Sequence, residues 1–360
     1  MRILIIGPGK LKYMPYVHFY LDNIGQIKNE IHLAYWNRDE KEEDTASFSN
    51  VLLHEFKCYM VNDAPLSLKL KCFAKYRFFC KRILKHVDFD FIIALHSLTG
   101  LMLFDILTRK FKERFILDYR DSTYEDYSFF RNLVGRLVKK SYCTFVSSDA
   151  FRKYLPDSEI AKTHTSHNLL EESLNHRLYE KNPCKRIRIA FWGFIRHVDI
   201  NCVLIDRIAA DDRFELHYYG REQKDALELK QYVLNHKYNN VYFHGEYCPE
   251  DRYDFARNTD LIDNIYLNPN TLLAMGNKYY DGIIFRIPQI CMNGSFMGEM
   301  SQKHGVGCSL DPRDQDFTEK VYQYFIQIDR SVFIHNCDIE LSRVMEEYNK
   351  GKSILRSLLS

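Results

Sequence analysis

Short apolar runs that end at a glycine or a polar turn recur along the chain. The first run, residues 2–6, meets Gly7-Pro8-Gly9-Lys10, which is typical of a buried parallel strand entering a glycine turn. Similar runs alternate with stretches of helical period, and this alternation predicts a parallel sheet covered by helices. Strands are predicted at residues 2–6, 31–36, 89–95, 114–117 and 143–147, and helices at 13–24, 66–86, 98–112 and 129–140.

A second series of the same kind follows a polar stretch, residues 169–186, which has no hydrophobic period and reads as a linker. Beyond it, strands are predicted at residues 187–192, 214–219, 241–243, 261–266, 289–292 and 307–310. The sequence therefore predicts an α/β protein with two Rossmann-like, doubly wound parallel-sheet domains that face a cleft. The predicted domains are residues 1–168 and 187–340, with a helical tail, 341–360, that could return to the N-terminal domain.

Length and composition agree with two globular domains. The chain has 360 residues, and a single hydrophobic core stops growing near roughly 250–300 residues. Fifty Lys and Arg stand against 48 Asp and Glu, so the strong basic excess of a nucleic-acid-binding protein is missing. A hydrophobic share of 46% excludes a disordered chain.

Cysteine spacing and hydropathy predict the compartment. The ten cysteines include no C-x2-C pair, and the N-terminus does not look like a signal peptide. The longest run without Asp, Glu, Lys or Arg has fourteen residues, short of the ~20 that span a bilayer. We therefore expect a cytoplasmic protein. His164-x2-His167 has a metal-like spacing without further ligands in register, so no metal site is expected.

Glycines follow the predicted strands of the second domain. Gly193 and the cation Arg196 follow its first strand, Gly220 follows the next, and Gly245 with Tyr247 follows the third. Gly276-Asn277-Lys278 then opens a helix that carries Asp281. Backbone N–H groups at such turns, together with Arg and Lys, suit a pyrophosphate. At the first strand of the chain, Lys12 occupies the position of the third glycine of a dinucleotide fingerprint, which argues against an NAD site there.

This order of motifs resembles GT-B glycosyltransferases of the retaining "glycosyl transferases group 1" type from bacterial polysaccharide biosynthesis. The resemblance is most specific over residues 187–312, where strand-Gly-x-x-Arg, Phe-x-Gly-x-Tyr and Asn-Lys-x-x-Asp precede Pro288. Gly7 and Gly9, the segment 90–96, Asp118-Tyr-Arg-Asp121 and Ser166-His-Asn168 support it in the first domain.

The resemblance implies a transfer of sugar from a nucleoside-diphosphate sugar, which we expect to be UDP-linked. Asp281 would accept hydrogen bonds from the ribose hydroxyls, Arg196 and Lys278 would neutralise the diphosphate, and backbone groups near Gly245 and Tyr247 would read the nucleobase. The donor residues implied in this way are Gly9, Gly193, Arg196, Gly220, Gly245, Tyr247, Asn277, Lys278 and Asp281.

The implied catalytic residues are His96 beside the transferred sugar, Arg196, Lys278, and Asp121 on the acceptor side. Asp118-Tyr-Arg-Asp121 can equally be a structural ion-pair motif. The chemistry needs no metal or other cofactor, because cations and a helix N-terminus can stabilise the departing diphosphate. In a retaining reaction the leaving phosphate can itself deprotonate the acceptor hydroxyl.

One departure from the family pattern keeps other functions open. The first acid of the family's Glu-x7-Glu pair would fall eight residues before Asp281, where this chain has Leu273. A GT-B-shaped sugar-nucleotide 2-epimerase and a non-catalytic GT-B partner subunit are therefore the alternatives to a glycosyltransferase.

The stretch from Leu66 to His86 carries seven Lys and Arg and no acid. On a helical wheel six of the cations share one arc. The apolar residues that gather opposite are Leu66, Cys72, Phe73, Tyr76, Phe79, Cys80, Ile83 and Leu84. One interpretation is a surface helix packed on the first domain's sheet; the other adds contact with anionic lipid at the inner face of the plasma membrane, where a lipid-linked or growing surface glycan would be the acceptor. The residues predicted to face the membrane are Lys71, Lys75, Arg77, Phe78, Lys81, Arg82 and Lys85.

Overall fold

The computed structural model divides the chain into two compact units and describes residues 1–25, 29–61, 64–176 and 184–358. The first unit comprises Met1–His167 together with the chain from Glu346 onward, and the second comprises Asn168–Met345. Within the expected linker, 169–186, a 3-10 helix forms at Glu171–Asn175, and residues 177–183 lie outside the described part.

Seven parallel strands form the sheet of the first unit, in the order β3-β2-β1-β4-β5-β6-β7. The strands are β1 Arg2–Ile6, β2 Glu30–Asn37, β3 Leu52–Lys57, β4 Phe91–Leu95, β5 Phe115–Tyr119, β6 Cys143–Val146 and β7 Thr163–Thr165. β1, β4, β5 and β6 are buried almost throughout, because helices cover both faces of a parallel sheet.

Six parallel strands form the sheet of the second unit, in the order β10-β9-β8-β11-β12-β13. They are β8 Ile187–Trp192, β9 Phe214–Tyr219, β10 Val241–Gly245, β11 Leu261–Asn264, β12 Gln289–Met292 and β13 Gly307–Leu310. In both sheets the order reverses beside the first strand, where ligands of doubly wound sheets bind. The predicted α/β class with two parallel sheets is confirmed.

The α-helices of the described chain connect these strands, apart from α11 and α12, which follow the last strand. They are α1 Val17–Leu21, α2 Leu66–His86, α3 Ser97–Met102, α4 Phe104–Arg109, α5 Ser128–Lys140, α6 Val198–Ala209, α7 Lys224–His236, α8 Arg252–Arg257, α9 Asn277–Phe285, α10 Phe296–Lys303, α11 Phe317–Gln327 and α12 Arg330–Leu358. No helix among the described residues is both long and apolar enough to span a membrane.

Two predicted helices are wrong in extent. The helix expected at 13–24 shrinks to α1, because Pro15 cannot sit inside a helix and Lys10 instead precedes a 3-10 turn at Leu11–Tyr13. The helix expected at 98–112 is interrupted at Leu103, whose φ of −108° and ψ of 20° are not helical, so α3 and α4 are separate.

Candidate functional site: glycine turns, buried charges and a basic helix

The three glycines predicted after β8, β9 and β10 lie side by side at the carboxyl edge of the second sheet. The Gly193 N–H donates to the carbonyl of Tyr219 at 3.0 Å, and the Gly220 N–H donates to the carbonyl of Gly245 at 2.8 Å. The sequence pattern therefore assembles a continuous glycine-lined edge, which the main chain of a turn or a ligand can approach closely.

Each of these glycines is required by the backbone. Gly193 has φ 124° and Gly245 has φ 83°, conformations that side chains other than glycine rarely adopt. A Cβ atom at Gly220 would lie 2.1 Å from the carbonyl oxygen of Gly193. The close approach of two turns thus explains Gly220 without any ligand.

Arg196 and Asn277 stand exposed near this edge. Arg196 follows the Gly193 turn, and its guanidinium lies 4.8 Å from the ring centroid of Phe194. Asn277 is the first residue of α9, whose N-cap is Gly276. The positive charge of Arg196 reaches Lys278, whose pKa it lowers, so the two predicted cations belong to one electrostatic neighbourhood.

Lys278 is a buried cation, which the sequence alone does not indicate. The side chain is buried, its Nζ lies 3.4 Å from the ring centroid of Phe191, and it hydrogen-bonds the Tyr266 hydroxyl. Burial lowers the pKa of Lys278 to about 7, although the carboxylate of Asp263 opposes the shift. Lys278 is thus partly neutral at physiological pH rather than a permanent charge.

Asp281 is a second buried charge on α9. Its residue surface is 3% exposed. Trp192 donates Nε1–H to Oδ2 at 2.8 Å, and Arg252 Nη1 lies 3.1 and 3.3 Å from the two oxygens. Burial raises the pKa of Asp281, and Arg252 opposes that rise. Removal of this carboxylate would leave the buried Arg252 and Trp192 without their partner, so it would lower the stability of the protein.

Tyr247 belongs to an aromatic cluster beside the glycine turns. Its ring meets Phe255 edge-on at 5.3 Å, and Tyr219 stacks on the same Phe255 at 4.1 Å. His244 stacks on Tyr219 at 4.2 Å. Burial raises the pKa of Tyr247 to about 12, so its hydroxyl is a donor throughout the physiological range. Half-buried rings of this kind offer a flat apolar surface with polar edges.

His96 sits directly after β4 in the first unit. It has φ 76°, an uncommon conformation for a residue with a side chain, which marks a constrained position. Its Nδ1 accepts from the Leu98 N–H at 3.2 Å, and its Nε2 lies 3.9 Å from Asp121 Oδ2. Burial lowers the pKa of His96, so the neutral ring carries its proton on Nε2, toward Asp121.

The motif Asp118-Tyr-Arg-Asp121 divides into a structural part and an exposed part. Arg120 Nε donates to Asp118 Oδ2 at 2.8 Å, and its guanidinium lies 4.0 Å from the ring centroid of Tyr16. Asp118 and Arg120 are buried, whereas half of the Asp121 side chain is exposed. The structure places Asp121 beside His96. Asp118 and Arg120 form a buried ion pair that stabilises the loop.

Gly9 faces open space at the first glycine turn. A Cβ atom there would meet nothing within 4 Å, and its φ is not positive. The next residue, Lys10, is buried and forms an ion pair with Asp39, while Glu43 accepts the Leu11 N–H at 3.0 Å. The turn is thus fixed by buried charges on one side and unobstructed at Gly9.

The basic helix α2 packs its apolar side on the first unit and leaves most cations outside. Cys72, Tyr76, Cys80, Ile83 and Leu84 are buried, as the wheel predicts, and Phe78 is 71% exposed. The exposed cations are Lys71, Lys75, Lys81, Arg82 and Lys85.

Two residues of the predicted basic and apolar faces are corrected. Arg77 Nη2 contacts both oxygens of Asp105 at 2.8 Å, and its Nη1 donates to the carbonyl of Met102. Its charge is therefore neutralised within the unit instead of facing outward. Leu66, expected on the buried stripe, is 62% exposed at the first position of α2.

Arg252, Tyr266 and Asp263 were not singled out by the sequence. Arg252 opens the short helix α8, Asp263 lies within β11, and Tyr266 follows that strand. No hydrophobic periodicity and no glycine spacing in the sequence points to these three residues. The only available signal was the position of Tyr266 near a strand's carboxyl end, where ligands bind. Within the described residues, no group of three or more His, Cys, Asp or Glu could hold a metal ion.

Comparison with known proteins supports the fold. No protein-family profile matches the sequence, and no curated protein matches it. Sucrose-phosphate synthase from Thermosynechococcus elongatus is similar in structure, with a TM-score of 0.75 and 11% identity over 99% of this chain and 98% of that one. HepE from Anabaena, solved with UDP-glucose, has a TM-score of 0.69 and 14% identity over 99% of this chain and 100% of that one.

A putative-epimerase structure is also similar. The protein from Listeria monocytogenes described as a UDP-N-acetylglucosamine 2-epimerase has a TM-score of 0.60 and 8% identity over 94% of this chain and 90% of that one. Identities this low bear on the fold alone. The two parallel sheets, their glycine-lined strand ends and these similarities establish that the chain has the GT-B fold.

Proposed function

We propose that this protein is a glycosyltransferase that moves a sugar from a nucleoside-diphosphate sugar, UDP-linked, to a glycan acceptor. The observation that carries the proposal is the convergence of the turns at Gly193, Gly220 and Gly245, with Arg196 beside them, at the edge of the second sheet. That edge offers backbone close approach together with positive charge, which suits a diphosphate. Proteins of similar fold were solved with UDP-glucose and UDP-2-fluoro glucose.

The donor would bind with its diphosphate at these turns. Arg196 is an exposed cation at the site, and Lys278 would add a second charge when a phosphate approaches it. Both would stabilise the negative charge that develops as the sugar–pyrophosphate bond breaks. The aromatic cluster around Tyr247 would receive the nucleobase, and Asp281 would accept from the ribose hydroxyls.

We further propose a retaining, metal-independent, hexosyltransferase-type reaction. The leaving phosphate would take the proton of the acceptor hydroxyl, and His96, with Nε2–H facing outward beside Asp121, would hold a sugar hydroxyl. Asp121 would then serve the acceptor side. The inference of retention rests on the sequence resemblance.

The acceptor in this proposal is a lipid-linked or growing surface glycan, as in capsule, O-antigen or exopolysaccharide assembly. The protein would work in the cytoplasm, at the inner face of the plasma membrane. The exposed cations of α2 and the exposed ring of Phe78 support this placement, because cations near an anionic surface contribute roughly 1 kcal/mol each and an aromatic ring inserts at the interface.

The direct test is a nucleotide-release assay with UDP-, GDP-, ADP- and dTDP-sugars and CMP-sugars, with and without glycan acceptors from bacterial envelopes. The proposal expects UDP release that an acceptor accelerates, and a glycoside product detected by mass spectrometry. A UDP-sugar converted to its 2-epimer without acceptor would replace the proposal with an epimerase. Absence of both binding and turnover with every nucleotide would indicate a non-catalytic subunit.

A further inference from the structure

A buried ion pair lies beside the glycine turns of the second unit. Arg252 is 5% exposed, and its Nη1 contacts both carboxylate oxygens of Asp281. Arg252 Nε also donates to the carbonyl of Pro249 at 2.8 Å, which fixes the guanidinium. On the other side, the Trp192 Nε1–H contacts Asp281 Oδ2. The carboxylate is therefore held from two elements, α8 and the end of β8.

These contacts leave Asp281 able to accept more hydrogen bonds. An ionised carboxylate has about four lone-pair sites, and Arg252 and Trp192 engage both oxygens without filling those sites. An aspartate is also one methylene shorter than glutamate, so its oxygens stay close to the backbone of α9. Asp281 is buried and fixed, and its remaining lone pairs are the sites that the hydroxyl donors of a ribose would use.

The charge of this carboxylate depends on its neighbours. Asp281 is buried, which disfavours ionisation, and the cations acting on it are Arg252 and Lys278. Lys278 is an unreliable counter-charge because it is itself buried, faces Asp263 and is repelled by Arg196. Arg252 instead contacts both carboxylate oxygens directly and is held in place by the carbonyl of Pro249. It is thus the dependable source of positive charge for Asp281.

We propose that Arg252 is a positioning residue that keeps Asp281 ionised and oriented to bind the ribose hydroxyls of the donor. This inference rests on the proposed function. Arg252 acts through Asp281. Removing its charge should therefore impair recognition of the ribose specifically, and restoring the carboxylate charge by other means should repair that recognition.

The experiment compares binding of UDP and 2′,3′-dideoxyuridine diphosphate by calorimetry at pH 6.5 and pH 9. The ratio of the two dissociation constants isolates the ribose hydroxyls, because both ligands carry the same diphosphate and base. Titration of Lys278 changes both affinities and cancels in the ratio. The proteins are the full-length wild type, R252M, R252K and R188M.

R188M is the matched control for loss of a buried arginine. Arg188 contacts Asp260 through Nε at 3.1 Å in the same unit, and it lies near the start of β8, at the opposite end of that strand from Trp192. Its loss should lower the melting temperature without changing the ratio. R252K retains a cation and should preserve most of the preference for UDP over the dideoxy analogue. It keeps the proposal testable if R252M does not fold.

The proposal expects wild type to prefer UDP by about tenfold at both pH values, as one charge-assisted hydrogen bond gives. R252M should lose this preference at pH 6.5 and regain it at pH 9, because without Arg252 the burial that raises the pKa of Asp281 is less opposed. An R252M ratio equal to wild type at both pH values, or a loss that pH 9 does not repair, overturns the positioning role. Wild type that does not bind UDP overturns the proposed function instead.

Discussion

Gly220 and Gly9 share a residue type for different reasons. At Gly220 the backbone of a neighbouring turn occupies the place of a Cβ atom, whereas the space beside Gly9 is empty. A structural requirement explains the first glycine completely. The second has no such requirement in the folded chain, and access for a ligand is the remaining explanation.

Substitution by alanine should separate the two cases. G220A forces the Gly193 turn to move and should destabilise the protein by about 1–3 kcal/mol, measured by denaturant unfolding. G9A should leave stability within ~0.5 kcal/mol and lower turnover with acceptor. A stable G220A protein would contradict the packing argument, and a fully active G9A enzyme would remove Gly9 from the site.

The buried ammonium group of Lys278 predicts proton uptake on donor binding. In the free protein its pKa is about 7, and a bound diphosphate raises that pKa because opposite charge favours the protonated form. At pH 8 binding should therefore take up a proton, and at pH 6, where Lys278 is already charged, it should not. Calorimetry of UDP binding in two buffers of different ionisation enthalpy measures this uptake.

The K278M variant provides the check on that assignment. It should bind UDP more weakly and show no uptake at pH 8. Uptake that persists in K278M would assign the proton to another group, and equal heats in both buffers for wild type would contradict the neutral lysine.

Residue types at turns were predictable from sequence, whereas their electrostatic environment was not. The glycines and Arg196 stand at strand ends that the apolar pattern already places at one edge. The burial of Lys278 and Asp281 depends on Phe191, Tyr266 and Arg252, which reach them from distant segments. No local pattern encodes such a contact, so the burial of these two side chains could not be predicted from the sequence.

At the scale of elements, the central strands were predictable and two outer ones were not. The strands predicted in each half all form, but β3 and β7 went unnoticed. β3 alternates between exposed and partly buried positions at the sheet edge, and β7 has three residues, Thr163–Thr165, with no apolar run. A continuous apolar run is the sequence signal of a strand buried on both faces. Neither β3 nor β7 has such a run.

The helix α2 carries the prediction that belongs to this scale. In flotation with vesicles containing anionic lipid, wild type should bind, while K81E/K85E should lose most binding and F78A should bind more weakly. K139E/K140E, an equal charge change at the end of α5, is the matched control and should bind like wild type. Binding of K81E/K85E equal to that control, or wild-type binding to neutral vesicles, would contradict a basic lipid-facing surface.

At the scale of the whole molecule, the end of α12 belongs to the first unit. Tyr348 packs on Phe19 with ring centroids 5.1 Å apart, and Arg356 Nη2 donates to Asn23 Oδ1 at 3.0 Å. His167 Nε2 and Glu347 Oε2 lie 2.8 Å apart, at hydrogen-bond distance. A Cβ atom at Gly351 would lie 3.0 Å from Phe19, so the helix is closely packed there.

Truncation after Met345 should therefore weaken the first unit selectively. Hydrogen exchange should accelerate in α1 and β6, which lose cover over Phe19 and Phe145, while β8 to β13 keep their protection. G351L, which overpacks the same contact, should act in the same direction with smaller effect. Equal acceleration in both units would show that the terminal helix stabilises the molecule in another way.

The central claim is that the glycine-lined edge of the second sheet holds a nucleoside diphosphate. Hydrogen exchange of the wild-type protein with and without UDP tests it most directly. The account predicts slower exchange in the turn at 193–197, in residues 245–247 and in the first turn of α9. Protection confined to the first unit, or none anywhere at saturating UDP, would contradict it.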